Sequence, residues 1–575
     1  MTREREHYKL WLEKTVDNAA AQADLLALTG QDEEIYERFY RELSFGTAGL
    51  RGIMGMGLSR MNTYVVGRAT QGIARYLREA GVKDPTAAIA YDSRLCSEEF
   101  ARHAAGVLAA NGVKTYIFDE LMPTPALSYA VRELSCDVGV NITASHNPAA
   151  YNGYKVYDAS GCQIGPEIAE VVQTAILGTD IFEGVRCMSF EDALAQGLCE
   201  FIPNSFVERY LDRVFEEALQ PEICAKARLS LVFTPLNGAG NRCVRGMFDR
   251  LGLTDVHVVP EQEAPDGNFP TCPSPNPETR AALELGLALS AAKQADLLIA
   301  TDPDCDRVGA AVFHGGDYHI LSGNEVGLLL LDYICKTRKK LGKMPAKPVA
   351  LRSLVSTKMA DIIAEYYGVE MRGVLTGFRF IGGVIAELEA KGRADDFIFG
   401  FEESCGYLSG SYVRDKDAVN AATLLAELAS ARKLEGKTLV DALQELYARF
   451  SVWCNQVDSF TFEGAAGMSA MSRVLENLRT APPVEFAGDE VSEILDYGKG
   501  EKISGGALEK VELPRTEMIE LRICGGNSVI IRPSGTEPKL KVYYSVAGKD
   551  SRCVEEKTAA YKAACAGLVK GERRR

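Results

Sequence analysis

Three times along this chain a short apolar run ends abruptly in a loop dense with hydroxyls or carboxylates. "DVGVNI" leads into "TASHNP" at 143–148, "ADLLIA" into "TDPDCDR" at 301–307, and "DDFIFG" into "FEESCGY" at 401–407. Helix-like patterns such as "EEFARHAAGVLAANG" alternate with short apolar strands such as "AAIAYDS", "TYIFDE" and "LSLVFTPLNG", so the spacing predicts α/β domains. In open α/β sheets ligands sit outside the carboxyl ends of the strands, which makes these three loops the places where chemistry belongs. The shared pattern suggests related units facing one cleft, although no repeat is visible residue by residue.

The 575 residues amount to several domains at roughly 150 residues each. Residues 1–40, with "YKLWLEKTV" and "IYERFYREL" at helical spacing, read as an N-terminal helical extension. Polar, Pro-rich or Gly-rich stretches near 200–205, 316–324 and 450–490 mark joins, which gives domains at 41–203, 204–318, 319–455 and 456–575, the last including a linker. A net charge of -15 argues against general nucleic-acid binding, which needs clustered Lys and Arg. The N-terminus has no apolar signal core, and apolar stretches such as "VGLLLLDYI" fall short of a membrane span. Fifteen cysteines without a C-x-x-C fit a reducing compartment, and six scattered histidines offer no zinc cluster. The expectation is a cytoplasmic protein with no nucleic-acid or membrane partner.

Each polar loop has a plain reading beside a chemical one. Ser145 and Asn147 suit an ordinary turn, and Ser145 beside His146 suits a nucleophile. In "TDPDCDR", Asp302, Asp304 and Asp306 stand two residues apart; in an extended segment alternate side chains share a side, so three carboxylates would converge on a cation. Without a cation they would repel one another. An EF-hand loop would need Gly and Glu where this chain has Arg307 and Phe313, so hard oxygen ligands point instead to Mg²⁺. A D-x-D-x-T phosphatase loop is a weaker match, because no Thr follows at the expected place. "RPSGTEPKLKVY" at 532–543 supplies a guanidinium, two hydroxyls and a glycine, which suits either phosphate binding or an ordinary β-turn. "ARKLEGKT" at 431–438 lacks the first glycine of a nucleotide loop.

Taken in order, "TASHNP", "TDPDCDR", "FEESCGY" and "RPSGTEPKLKVY" resemble the four active-site loops of the α-D-phosphohexomutase superfamily, the phosphoglucomutase/phosphomannomutases. "RELSFGTAGLRG", "TGFRFIG" and "RDKDAV" resemble its branch of bacterial phosphoglucomutases, phosphopentomutases and glucose-1,6-bisphosphate synthases. The resemblance implies a four-domain, heart-shaped architecture, three α/β domains with mixed sheets and a C-terminal α+β domain around a central cleft. It implies that Ser145 carries a phosphoryl group and joins Asp302, Asp304 and Asp306 around one Mg²⁺. Glu402 and Ser404 would hold sugar hydroxyls, and Arg532, Ser534, Gly535 and Thr536 the phosphate that is not reacting. Thr47, Arg51, Arg307, Thr376, Gly377, Arg379, Arg414 and Lys416 would line the substrate's path.

Lys416 matches a lysine proposed as general acid or base in this family, and Arg414 is the cation expected to lower its pKa. His146 and Lys155 are further candidates beside Ser145. Where other members have Gly-His after the Glu-x-Ser loop, this chain has Gly406 and Tyr407; where they often have Lys, it has Arg379. The implied activity interconverts glucose 1-phosphate and glucose 6-phosphate through glucose 1,6-bisphosphate, in a monomer or homodimer. Phosphomannomutase, phosphopentomutase, phosphatase and non-catalytic binding readings remain beside it.

Overall fold

The computed structural model describes residues 2–46, 49–462, 464–533 and 539–570. They fall into two compact units: Met1–Gly323 with Phe378–Gly400 and Ser404–Thr438, and Asn324–Gly377 with Phe401–Glu403 and Leu439–Arg575.

In the first unit, residues 1–40 include helices Arg3–Lys14, Ala19–Leu26 and Asp32–Phe39. They close around Trp11, Leu25, Ile35 and Phe39. The first sheet contains β1 (Leu50–Ile53), β2 (Thr86–Tyr91), β3 (Lys114–Phe118), β4 (Val138–Ile142), β5 (Tyr151–Asp158) and β6 (Cys199–Ile202), in the order β1-β5-β4-β2-β3-β6. β4, β2, β3 and β6 run parallel, while β5 is antiparallel to β4 and to β1. Helices Thr63–Glu79 and Ser97–Ala110 contribute Val66, Ile73, Phe100 and Leu108 to a core shared with Ile89, Val140 and Val156. Asn141 and Lys155 are direct partners in the β4–β5 register.

The second sheet contains β7 (Ser230–Thr234), β8 (Asp255–Val258), β9 (Leu297–Thr301), β10 (Val308–His314) and β11 (Asp317–Leu321), in the order β11-β10-β9-β7-β8. β9 is parallel to β7 and antiparallel to β10. The aspartate loop is therefore the reversal between β9 and β10, and the extended segment expected from the sequence is corrected to a tight turn. Cys305 sits there at φ 52° and its N–H donates to the Asp302 carbonyl at 2.9 Å. The carboxylates converge because the chain folds back.

The expected joins are also regular structure. Residues 316–324 hold β11 and the start of helix Gly323–Lys340. Residues 450–490 hold β16 (Val452–Thr461) and helix Gly464–Thr480, so the boundary at 455 falls inside a strand. Between them come β12 (Val349–Ser353) and β13 (Glu370–Val374), a parallel pair, then β14 (Phe397–Glu402), buried throughout, and β15 (Gly406–Leu408). The C-terminal sheet is antiparallel and includes strands Ile519–Ile523, Asn527–Pro533 and Lys539–Gly548; its core also takes in Tyr561 of helix Ser551–Lys570. Mixed α/β domains followed by an α+β domain are the class expected. Among the described residues no helix is long and apolar enough to cross a membrane.

A buried carboxylate gives the second unit a pH signature. Glu520, 1% exposed, accepts from Lys358 Nζ at 2.7 Å, Tyr497 Oη at 2.7 Å and Arg522 Nε at 3.2 Å. Burial opposes its charge, but Lys358 and Arg522 outweigh that and hold its pKa down, from the ordinary 4.5 to about 2. Lys358 is itself drawn down by burial despite this partner, so the carboxylate's titration sets the acid response. A carboxylate whose pKa is depressed in the folded state stabilises above its unfolded value and loses that contribution as pH falls through the folded one. The urea midpoint of this unit should drop between pH 4.5 and 2, by the equivalent of about 3 kcal/mol, and Glu520→Gln should flatten the slope. Equal slopes in the two proteins would refute the assignment.

Candidate active site

The serine loop is held from beneath. Ser145 follows β4 at φ 51°, a left-handed conformation that costs a non-glycine residue of order 1–2 kcal/mol and persists only where its surroundings fix it. Its N–H donates to Thr143 Oγ1 at 2.8 Å, and that hydroxyl donates to Asp92 Oδ2 at 2.6 Å. The buried Arg94 guanidinium lies 3.4 Å from Asp92 and donates to the carbonyls of Ser145, Asn147, Pro148 and Tyr151. Asp92 and Arg94 were missed in the sequence, although "YDSR" also closes an apolar strand, β2, at its carboxyl end.

Ser145 Oγ donates to Asp302 Oδ2 at 2.7 Å and lies 3.1 Å from His146 Nδ1. A hydroxyl has one proton, so with that proton on Asp302 the imidazole is the donor to Oγ. Burial, with Arg307 and Arg51 nearby, holds the His146 imidazolium below its ordinary range.

Asp302, Asp304 and Asp306 are buried, with ligand oxygens all within 4.8 Å of one another. Asp302 Oδ1 accepts from the Asp306 and Arg307 N–H groups at 3.1 and 3.0 Å. Asp304 Oδ2 accepts from Lys155 Nζ at 2.6 Å and Thr124 Oγ1 at 2.8 Å. Asp306 Oδ2 lies 3.2 Å from Lys155 Nζ and 2.8 Å from Lys416 Nζ. Burial and its two like-charged neighbours push Asp302 well above the carboxylate range; burial acts the same way on Asp304, but Lys155 outweighs it and holds that pKa low. Among the described residues Asp304 Oδ1 and Asp306 Oδ1 are buried without a hydrogen-bond partner, although Arg307 Nε lies 3.9 Å from Asp306 Oδ1. Bare carboxylate oxygens in a cluster that cannot carry its full charge unaided fit a hard divalent cation.

Lys416 is set between Asp306 and Asp415, whose Oδ1 is 3.5 Å from its Nζ. Asp415 Oδ2 accepts from Tyr157 Oη at 2.8 Å. The lysine stem lies against Gly406, where an added Cβ would come within 2.5 Å of Lys416 Cδ. Burial lowers the Lys416 pKa, but Asp306 and Asp415 outweigh it and raise it above the ordinary ammonium value. The expectation that Arg414 lowers it is corrected: Arg414 is turned onto Glu389 Oε2 at 2.6 Å and the Val413 carbonyl at 3.0 Å, and the opposing cation is Arg307. Arg307 itself pairs with Glu278 at 2.6 Å, and Arg51 Nη1 donates to Asn147 Oδ1 at 2.9 Å. Arg379 stacks on Phe380 in this unit, which also contains Ser404.

The second unit gathers other expected residues. Glu402 Oε1 accepts from the Gly377 N–H at 2.6 Å, and among the described residues Thr376 Oγ1 is buried without a hydrogen-bond partner. Tyr543 is pushed up to about 12 by burial and by Glu403, with Glu402 adding to this, while Arg532 bonds the phenol and opposes it. Glu402 and Arg532 therefore share one neighbourhood. Thr47, Ser534, Gly535 and Thr536 lie outside the described residues.

Comparison with known proteins gives a consistent result. The models for phosphoglucomutase/phosphomannomutase alpha/beta/alpha domains I, II and III match residues 42–180, 208–315 and 322–450. The phosphoglucomutase of Staphylococcus epidermidis is 36% identical over 520 residues, 90% of this chain and 92% of that one. The phosphoglucomutase of Staphylococcus aureus MRSA252 is 36% identical over 532 residues, 92% of this chain and 93% of that one. Among solved structures, the exocytosis-sensitive phosphoprotein parafusin from Paramecium superposes with TM-score 0.69 at 16% identity, covering 92% of this chain and 96% of that one. A phosphoglucomutase/phosphomannomutase family protein from Burkholderia thailandensis does so with TM-score 0.65 at 18% identity, covering 92% and 98%. These two likenesses concern the fold alone.

Proposed function

Since this chain belongs to the phosphoglucomutase/phosphomannomutase family, we propose that it interconverts glucose 1-phosphate and glucose 6-phosphate through a phosphoserine at Ser145 and a glucose 1,6-bisphosphate intermediate. The observation that carries the reading is the Ser145 hydroxyl, held at positive φ with its Oγ 2.7 Å from a buried three-carboxylate cluster. Asp302, Asp304 and Asp306, with an oxygen of the Ser145 phosphoryl group, would hold one Mg²⁺. That ion, when bound, neutralises charge on the phosphoryl group.

Phosphoserine 145 gives its phosphoryl group to a free sugar hydroxyl: the serine O–P bond breaks as the sugar O–P bond forms, and the proton the sugar hydroxyl loses is balanced by the one the Ser145 oxygen gains. The bisphosphate turns end for end, and its other phosphoryl group returns to the serine. Lys155 and Lys416, which reach the same carboxylates, supply positive charge beside the moving group. His146 steadies the serine oxygen. Sugar hydroxyls fall to Glu402 and Ser404 and the resting phosphate to Arg532, Ser534, Gly535 and Thr536. Thr47, Arg51, Arg307, Thr376, Gly377 and Arg379 contact the substrate along its path. Fifteen free cysteines support a cytoplasmic setting.

Measured side by side, kcat/KM should be highest for glucose 1-phosphate, below it for mannose 1-phosphate and ribose 1-phosphate. A clear preference for a pentose phosphate would overturn the sugar assignment, and inorganic phosphate released in step with turnover would indicate a phosphatase.

A further inference from the structure

The geometry points to Thr124 as the residue that orients Asp304 for the metal, through a hydroxyl relay that starts at Asn141; the inference rests on the metal reading of the aspartate cluster. Thr124 opens helix Thr124–Glu133 in the first α/β domain, while Asp304 belongs to the β9–β10 turn of the second. Two hydrogen bonds join them: Thr124 N donates to the Asp304 main-chain oxygen at 2.8 Å, and Thr124 Oγ1 donates to Asp304 Oδ2 at 2.8 Å. Asn141 Nδ2 donates to the same hydroxyl at 2.7 Å. Asn141, Thr124 and Asp304 are all 0% exposed.

The direction of the relay follows from proton counting. Thr124 Oγ1 has a single proton, and with the Asn141 amide donating to it that proton goes to Asp304. In this orientation Asn141 Oδ1 is buried without a hydrogen-bond partner among the described residues, and in the flipped one it would compete with Asp304 Oδ2 for the single hydroxyl proton. On the β4–β5 pair Asn141 stands opposite Lys155, whose Nζ donates to the same Oδ2 at 2.6 Å. One oxygen of Asp304 is thus engaged twice, by Thr124 and by Lys155, while Oδ1 is buried with no hydrogen-bond partner among the described residues. A carboxylate fixed through one oxygen presents the other in a single orientation, and removing such an outer hydrogen bond weakens metal binding. The main-chain bond from Thr124 N is a separate clip that a side-chain substitution leaves in place, so orientation and domain joining are separable.

The test is calorimetric titration with MgCl₂ of full-length proteins matched for Ser145 phosphorylation by intact mass, with urea midpoints recorded in parallel. Thr124→Val keeps the branched shape and the N–H; its Mg²⁺ Kd should rise by about 10–100-fold, whereas Thr124→Ser should stay within about threefold of the parent. If the valine variant does not fold, Thr124→Ala makes the same comparison. A rise below tenfold in the folded hydroxyl-free variant, while Asp304→Asn loses binding, would overturn the relay alone. Unchanged Mg²⁺ binding in Asp304→Asn would instead remove the metal reading on which it rests.

Discussion

Replacing Ser145 with alanine should lower kcat by on the order of 10⁴-fold or more, about 5.5 kcal/mol of barrier. In the proposed cycle the phosphoryl group passed to the sugar comes from the Ser145 oxygen, and alanine has no oxygen to give or receive it. Alanine also inherits the positive φ of Ser145, so some loss of stability accompanies the change. Ser145→Gly separates the two effects, because glycine adopts that backbone freely yet offers no oxygen. Both variants should be inactive in a glucose 6-phosphate-coupled assay, and neither should gain the mass of one phosphoryl group on incubation with glucose 1,6-bisphosphate. Turnover above one hundredth of the parent rate in the glycine variant would end the phosphoserine reading.

The second large effect concerns stability. Arg94→Met should destabilise the folded protein by about 3–5 kcal/mol, seen as a lowered urea midpoint, because it leaves the buried Asp92 without its cation and four carbonyls of the serine loop without their donor. Burial already draws both groups toward neutrality, Asp92 upward and Arg94 downward, so neither ion is comfortable alone. Adding Asp92→Asn to Arg94→Met should recover part of the loss by removing the stranded charge. It should not recover activity, since the carbonyls that shape the loop around Ser145 stay bare. A midpoint shift worth less than about 1 kcal/mol would show the clamp to be marginal.

Much of this was legible because α/β folds place chemistry by a simple rule. An apolar run that stops at a serine or a row of aspartates announces both a buried strand and its functional end, and β4, β9 and β14 obey it. Long-range pairings leave no such mark. Tyr157 and Asp415 meet across 258 positions, and Thr124 and Asp304 across 180. Arg94 went unread because its partners are main-chain carbonyls, which every residue has. The aspartate turn was misread as extended since nothing in "DPDCDR" advertises the left-handed Cys305. Arg414 seemed to belong with Lys416 by adjacency, but the chain bends at 414–415 and turns it toward Glu389. The stretch 450–490 looked like a linker because β16, half exposed, lacks a long apolar run.

The pairing of Asn141 with Lys155 limits how this loop can change. β4 and β5 form a hairpin whose connection, residues 143–150, carries the serine. Adding or deleting one residue there would slide β5 by one position, and each such step sends a strand's side chains to the opposite face. Lys155 and Tyr157 would then leave Asp304 and Asp415, even with Ser145 untouched. The loop can exchange side chains singly, whereas a change in its length must come with a compensating one elsewhere in the hairpin. The number of residues between Asn141 and Lys155 is thus as much a part of the candidate active site as the identity of any residue among them.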